Sequence, residues 1–479
     1  MRIRRALALA LLGGIAVAMS LPPWGWWPLG LVGLAALYRA LDRQPWRRRL
    51  LIGWVAGVGH FGISLFWFSE FTAPGAVVGI LFSALYMGAA DALTAPDGGW
   101  RRVASFPAAL LLLEGLRARW PFGGVPIGGA ALGQIAGPLG PAARIGGPLV
   151  LLGLAALLGA ALAERGLRRR MAPALVAVAV VIVGLVGPAG RDTGRAIDVG
   201  LVQGGGRRGF RAGESDPEDV YHRHLAATER LRTDVDLLMW PEDVVDVDGD
   251  VARSTVAGEL ADVARRRDAT FVVGVIEGEG TDHFRNAVVA WGADGRLVGR
   301  YEKVHRVPFG EWIPFRSVVG RIGDISAVPA DAIVGRGPNV LRTPAGRLGV
   351  AISYEVFFAD RARAASNGGA GVLLVPTNAA SFTTTQVPTQ EIAAARILAV
   401  ASGRSVLQAG PTGYTAIVGH RGHVLARSVL SRPEVITGRV SLRSGRTFYA
   451  RFGDWPWLLA SLAALLTARS RVRKSRLAL

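Results

Sequence analysis

With 479 residues, 51% of them hydrophobic, the chain is too apolar for an ordinary soluble enzyme and long enough for two or three domains. Its formal charge of +19 does not read as a nucleic-acid surface, because the arginines fall in short clusters beside long apolar runs, the pattern that orients membrane proteins. It contains no cysteine, which excludes disulfides, thiolate metal sites and a cysteine nucleophile, and its seven histidines show no metal-ligand spacing.

In chain order, a basic start (Arg2, Arg4, Arg5) leads into an apolar run at 6–19. Such a start could be a signal peptide. A second apolar segment at 24–41 follows a Pro22-Pro23 turn, so the first is read as a short transmembrane helix. Further spans are expected at 50–68, 75–93, 103–116, 145–163 and 172–186, and an eighth at 455–468. The arginine clusters at Arg2 to Arg5, at Arg43 with 47–49, at Arg101 and Arg102, at 165–170 and in the tail from Arg469 occupy alternate loops. Seven spans before the large polar domain would put every cluster on the cytoplasmic side and the residues between about 191 and 454 outside. The Gly- and Pro-rich loop 117–143, with Trp120, Phe122 and Gln134, would share that outer face; loops of this length often carry function. Asp91 and Glu114 are among the few charges well inside the spans, and no paired broken helices point to a transporter.

The outer domain alternates strand and helix signals. Strands are expected at 197–202, 237–239 and 271–276, with helices at 218–232 and 254–267. The runs 287–291 and 297–301 flank Asp294-Gly295, a hairpin turn signal, and 371–375, 406–409 and a hairpin across 420–422 continue the series. This mixture predicts one α/β domain with a large sheet core. Three of its strand ends deliver chemistry. Glu242 follows the Leu237–Met239 run through Trp240-Pro241, Lys303 follows 297–300, and Ser353 follows the small apolar stretch 349–352. Open α/β sheets place ligands at the carboxyl ends of their strands, so a carboxylate, an amine and a hydroxyl are expected to meet there. Glu242 would take the Ser353 proton as general base, and Lys303 would stabilise an oxyanion. Each alone would more often be a surface ion pair or a structural serine. Lysine usage sharpens the reading: of 55 basic residues only Lys303 and Lys474 are lysines, and Lys474 lies in the basic tail. A position that keeps lysine against that bias calls for a compact or titratable amine.

Longer motifs run nearly end to end: GQIAGPLGP at 133–141, LVQGG at 201–205, MWPE at 239–242, YEKVHRVPFGEWIP at 301–314, AISYE at 351–355 and TFYARFGDWP at 447–456. The order Glu, Lys, nucleophile-Tyr-Glu resembles the carbon–nitrogen hydrolase (nitrilase) superfamily, and the eight-span layout narrows the resemblance to the bacterial apolipoprotein N-acyltransferase family. The resemblance implies a polytopic α-helical membrane domain of about eight spans plus an extracytoplasmic α/β nitrilase-like α-β-β-α sandwich. The implied domains are 1–190 with seven helices, 196–441 as the carbon–nitrogen hydrolase domain, and 455–468 as the eighth helix with a basic cytoplasmic tail to 479. It implies a ping-pong reaction: an acyl chain passes from a membrane phospholipid to the nucleophile, then to the N-terminal amine of a diacylglyceryl-cysteine apolipoprotein. By resemblance Glu242 is the base, Lys303 the oxyanion residue, Glu311 a second carboxylate, and Tyr354 and Glu355 the shoulder of the Ser353 nucleophile. Phe309, Trp312, Ile313 and Phe315 would form a lip that admits an acyl chain, or else are ordinary core residues. Asn378 and Phe382 are further substrate-binding candidates. No cofactor, metal or nucleic acid is expected, and a monomer in the bacterial cytoplasmic (inner) membrane is.

The chain departs from the family's pattern in three places. The family nucleophile is cysteine and this chain has Ser353; a serine needs a well-placed base to act at all. After Asn378 the family's Asp and Trp are replaced by Ala379 and Ser381, which bears on acceptor recognition. The stretch 204–212 lacks a Trp often found there, with Phe210 a possible substitute. Two other readings therefore stand beside N-acyl transfer. One is a weakly active or inactive homologue, or a Cys-to-Ser mutant, that binds phospholipid or lipoprotein without turnover. The other is a membrane-anchored amidase.

Overall fold

Apolar helices and alternating strands segregate along the chain into two units, Met1–Pro188 with Phe452–Leu479, and Ala189–Arg451. The computed structural model describes residues 1–206, 216–322, 325–326 and 328–476; Phe210 lies outside them.

The first unit is built from the helices Ile3–Met19, Trp27–Ala40, Trp46–Ser64, Ala73–Leu93, Trp100–Arg117, Ala143–Ala163, Leu167–Val186 and Trp455–Arg476. Among the described residues three segments are long and apolar enough to cross a membrane: Ala73–Leu93, Gly140–Ala163 and Leu167–Val186. Trp455–Ala468 is a shorter apolar helix. The other expected spans are helices that are shorter or more charged. Ile3–Met19 and Trp27–Ala40 have 17 and 14 residues, against the roughly 20 that a bilayer core needs. Trp46–Ser64 opens on three arginines, and Trp100–Arg117 carries Arg101, Arg102, Glu114 and Arg117. Small residues let these helices approach closely: a Cβ on Gly14 would sit 1.9 Å from the Ala56 carbonyl oxygen. The loop after Trp100–Arg117 is gathered around one buried guanidinium. Arg117 donates to the carbonyls of Ile127 at 3.0 Å and Pro126 at 3.1 Å, as well as to that of Val125, and pairs with Glu114 at 2.6 Å.

The second unit contains the strands β1 Arg191–Gln203, β2 Leu237–Met239, β3 Val245–Asp248, β4 Thr270–Glu279, β5 His283–Trp291, β6 Leu297–Glu302 and β7 Asp331–Ala332. It continues with β8 Val340–Thr343, β9 Gly346–Val350, β10 Val372–Pro376, β11 Val406–Ala409, β12 Ala416–Val418, β13 Val424–Arg427 and β14 Glu434–Ser444. The large sheet core is divided in two. One sheet has the order β14-β1-β2-β4-β5-β6, with β3 on β4 and β7 on β5; the other has the order β13-β12-β11-β10-β9-β8. Strands β1, β2 and β4 are parallel, as are β9, β10 and β11. Each parallel set needs crossover helices, here Pro217–Thr228 and Val256–Arg267 in the first sheet and Ala359–Asn367 and Val387–Ser402 in the second.

Strand alternation sorts the side chains into layers. Leu237 and Met239 of β2 and Val288 and Ala290 of β5 enter a core shared with Leu348, Val350, Val372 and Leu374 of the other sheet. Their neighbours Leu238, Ala287 and Val289 face the opposite way, packing with Trp240, Phe271, Leu260 and Val263 beneath the crossover helices. The two sheets thus stack face to face with helices outside, an α-β-β-α sandwich. The expected hairpin at Asp294-Gly295 joins β5 and β6, with Gly295 at φ 76°, a left-handed position that suits glycine.

Candidate active site

Glu242 follows β2 and Lys303 follows β6 in the first sheet, whereas Ser353 follows β9 in the second. Glu242 and Lys303 meet directly: Lys303 Nζ lies 2.9 Å from Glu242 Oε1 and 2.9 Å from Glu311 Oε1. Asn286 of β5 donates from Nδ2 to the same two oxygens at 2.8 Å each. The second Glu311 oxygen accepts the Val307 N–H at 2.7 Å. Lys303 is 2% exposed, so its charge requires these partners. Burial alone would lower its pKa, but Glu242 and Glu311 outweigh burial and hold the ammonium above the ordinary lysine value. Burial likewise pushes the Glu242 carboxyl up, opposed by Lys303 and reinforced by Glu311. An ion pair normally lowers its carboxylate. Here one buried ammonium serves two acids, so the upward direction for Glu242 is the physically coherent one. A raised carboxylate is a better proton acceptor.

Backbone contacts fix both turns. The Lys303 N–H donates to Asn286 O at 2.9 Å, and its carbonyl accepts the Gly335 N–H at 2.8 Å. Behind each turn stands a glycine with no room for a side chain. A Cβ on Gly274 would lie 2.4 Å from Pro241 O and 2.5 Å from Glu242 Cα, and one on Gly335 would lie 2.2 Å from Glu302 O.

Strand β9 ends at Val350, and Ser353 opens a short 3-10 helix, Ser353–Phe357. Its φ of 49° is left-handed, an unfavourable setting for a non-glycine residue that recurs at functional turns. Its Oγ lies 3.3 Å from the Thr377 hydroxyl at the end of β10. Glu355 does not join the carboxylate–lysine cluster. It is fully buried and accepts the N–H groups of Ile352 at 2.8 Å, Val304 at 2.9 Å and His305 at 3.1 Å, together with the Tyr301 hydroxyl. Tyr354 is buried with its ring edge on Phe358, which stacks on His305 at 3.9 Å. Asn378 bonds Asp243 Oδ2 at 2.9 Å, joining the β10 loop to the Glu242 turn.

The apolar candidates divide. Phe309 is 41% exposed and Phe315 73%, both at positive φ, whereas Ile313 is buried. Trp312 lies under the Arg306 guanidinium at 4.5 Å, and Phe382 ends the short turn Ala380–Phe382. Three polar residues were not anticipated: Asn286, Thr377 and Glu391, the last bonded to Thr377. Asn286 directly precedes the apolar run 287–291, the only local signal it carries. Thr377 satisfies the same strand-end rule that singled out Glu242.

The sandwich and its buried Glu–Lys pair define a carbon–nitrogen hydrolase, and residues 198–449 match the family model of that name. Residues 13–186 match the apolipoprotein N-acyltransferase N-terminal domain. Over nearly the whole length the chain is similar to proteins named apolipoprotein N-acyltransferase. The one from Methylococcus capsulatus is 32% identical, with 98% of this chain and 97% of the relative covered. The one from Azotobacter vinelandii is 29% identical, with 97% and 95% covered. Among solved structures, Saccharomyces cerevisiae Nit3, a nitrilase-superfamily member, is 20% identical, with 53% of this chain and 92% of that one covered, at a TM-score of 0.42. The chain belongs to the apolipoprotein N-acyltransferase family, and with its three apolar helices it is a bacterial membrane protein.

Proposed function

We propose that the protein transfers an acyl chain from a membrane phospholipid, through an ester on Ser353, to the N-terminal amine of diacylglyceryl-cysteine apolipoproteins. The observation that carries this reading is the buried Glu242–Lys303–Glu311 cluster at strand ends of one sheet, together with a left-handed Ser353 at a strand end of the sheet stacked on it. In the first half-reaction Glu242 takes the Ser353 proton as Oγ attacks the phospholipid ester carbonyl. Two of the three Lys303 N–H groups are held by carboxylates, and the third donates to the developing oxyanion. The carbonyl re-forms, the lysophospholipid alkoxide leaves, and Glu242 returns the proton to it. In the second half the acceptor amine attacks the acyl–Ser353 ester, Glu242 takes a proton from nitrogen, and Ser353 departs and regains it. The exposed Phe309 and Phe315 are the proposed apolar contacts of the acyl chain, and Trp312, Asn378 and Phe382 are further proposed substrate contacts. In this reading residues 1–190 and 455–468 supply eight spans, and residues 196–441 form the catalytic domain on the extracytoplasmic side.

The deciding experiment is intact-protein mass spectrometry after incubation with phospholipid in detergent, with Ser353→Ala and Ser353→Cys alongside. One acyl mass on the serine protein, absent from Ser353→Ala and passed on when a diacylglyceryl lipopeptide is added, is the expected result. No adduct on serine beside a clear one on Ser353→Cys would overturn acyl transfer by this chain and leave a binding homologue. Free fatty acid instead of acylated lipopeptide would indicate a hydrolase.

A further inference from the structure

Outside the Glu–Lys cluster the nucleophile has a second carboxylate behind it. Thr377 Oγ1 lies 3.3 Å from Ser353 Oγ and 2.5 Å from Glu391 Oε1, and all three side chains are buried. Resting on the reading of Ser353 as nucleophile, we propose that Glu391 is a positioning residue which sets, through Thr377, the direction in which the Ser353 hydroxyl hydrogen points.

A hydroxyl has one hydrogen to give, so the chain Ser353–Thr377–Glu391 can run in two directions. With Glu391 neutral, its carboxyl donates to Thr377 and Thr377 donates to Ser353 Oγ. The Ser353 hydrogen is then left for the base, and Thr377 supports negative charge growing on Oγ. With Glu391 ionised, Thr377 donates to the carboxylate and accepts the Ser353 hydrogen, turning it from the base. Burial pushes Glu391 up to about 8; Thr377 opposes this, Glu242 adds to it and Lys303 opposes it. Among the described residues Glu391 Oε2 has no hydrogen-bond partner, which is costly for a carboxylate and much less so for a neutral acid.

Other charges near this helix are engaged elsewhere. Arg396 donates to Gly422 O, Arg361 to the Tyr301 hydroxyl, and Glu355 accepts backbone N–H groups. Glu242 and Lys303 are thus the charges that act on Glu391. A serine gains more from such support than a thiol, because it has almost no anion at neutrality.

The test is the rate at which a fluorophosphonate probe labels Ser353 in the full-length protein in detergent, measured across pH. Labelling needs no phospholipid: the Oγ–phosphorus bond forms, fluoride leaves and the hydroxyl proton passes to the base. The wild-type rate is expected to fall as pH rises through about 8. Glu391→Gln, whose amide donates to Thr377 at every pH, should lose that fall and keep the rate at lower pH within about threefold. Thr377→Val should lower the rate at lower pH roughly tenfold and also lose the fall, and Thr377→Ser should restore both. Identical profiles for wild type and Glu391→Gln, a uniform loss at all pH in Glu391→Gln, or no labelling of wild-type Ser353 would each overturn the proposal. Probe labelling with this profile but no phospholipid adduct would overturn the acyl-transfer reading and leave the relay standing. A phospholipid adduct formed with the same pH profile in Glu391→Gln would do the reverse.

Discussion

The Tyr301 hydroxyl donates to Glu355 at 2.9 Å, and this contact between residues 54 positions apart clamps the turn that bears Lys303 to the turn that bears Ser353. Glu355 completes the clamp by accepting N–H groups on both sides, from Val304 and His305 and from Ile352. Burial and the neighbouring carboxylate raise the Tyr301 pKa, so the phenol stays a donor. Each buried N–H left unsatisfied costs about 1–3 kcal/mol, so Glu355→Ala should lose several kcal/mol. Tyr301→Phe removes one bond of several and should cost about 1 kcal/mol. Thermal unfolding in detergent checks both, and a Glu355→Ala protein as stable as wild type would show that the clamp is not structural.

Glu242 and Lys303 should respond differently to conservative change. Glu242→Gln keeps the volume and removes a buried charge, so stability should hold while acyl–Ser353 formation falls by roughly 10²–10⁴, the usual worth of a general base. Lys303→Arg should both destabilise and inactivate. A planar guanidinium cannot replace a buried point ammonium placed 2.9 Å from each of two carboxylates. Adduct formation followed by mass, beside melting temperature, separates the two outcomes.

Gly274 predicts a loss of activity from a residue with no side chain at all. Any Cβ there meets Pro241 O at 2.4 Å and Glu242 Cα at 2.5 Å, both backbone atoms that cannot swing aside. Gly274→Ala must therefore move the Glu242 turn or the β4 strand. Displacement of the proposed base by even an ångström is costly to rate, so adduct formation should fall at least tenfold. Gly258, whose added Cβ would meet nothing within 4 Å, is the control: Gly258→Ala should leave the rate unchanged.

The contrast between these residues explains what could be read from the sequence. Strand ends with a polar residue after an apolar run marked Glu242, Lys303 and Ser353, because strand period and burial are local signals. The scarcity of lysine made Lys303 conspicuous. Long strand β14 was not anticipated, because its place in the fold comes from pairing with β1 far away in sequence. The helix Val387–Ser402 was missed for the opposite reason, being buried on nearly every side, polar Gln390 and Glu391 included, with little amphipathic contrast. Asn286, Thr377 and Glu391 become meaningful only through contacts across 14 to 44 residues. The helices of the first unit were located closely, while their capacity to span a membrane depended on flanking arginines that fell inside the helices themselves.

Glu391 also makes a prediction about stability that is independent of catalysis. Its carboxyl titrates near 4.5 when free and is pushed by burial up to about 8 in the fold. Between these values the folded state keeps a proton that the unfolded state has released, so the contribution of Glu391 is full below about 4.5 and is lost progressively as pH rises to about 8. The slope is about 1.4 kcal/mol per pH unit while it lasts, with an upper bound near 5 kcal/mol in all. Glu391→Gln has no such titration. Its melting temperature relative to wild type should therefore climb across this window and level off above about pH 8. Thermal melts of wild type and Glu391→Gln, run side by side across this pH window, read the difference. A difference that stays flat with pH would mean that Glu391 is already ionised in the folded protein, with its charge compensated by Thr377 and Lys303.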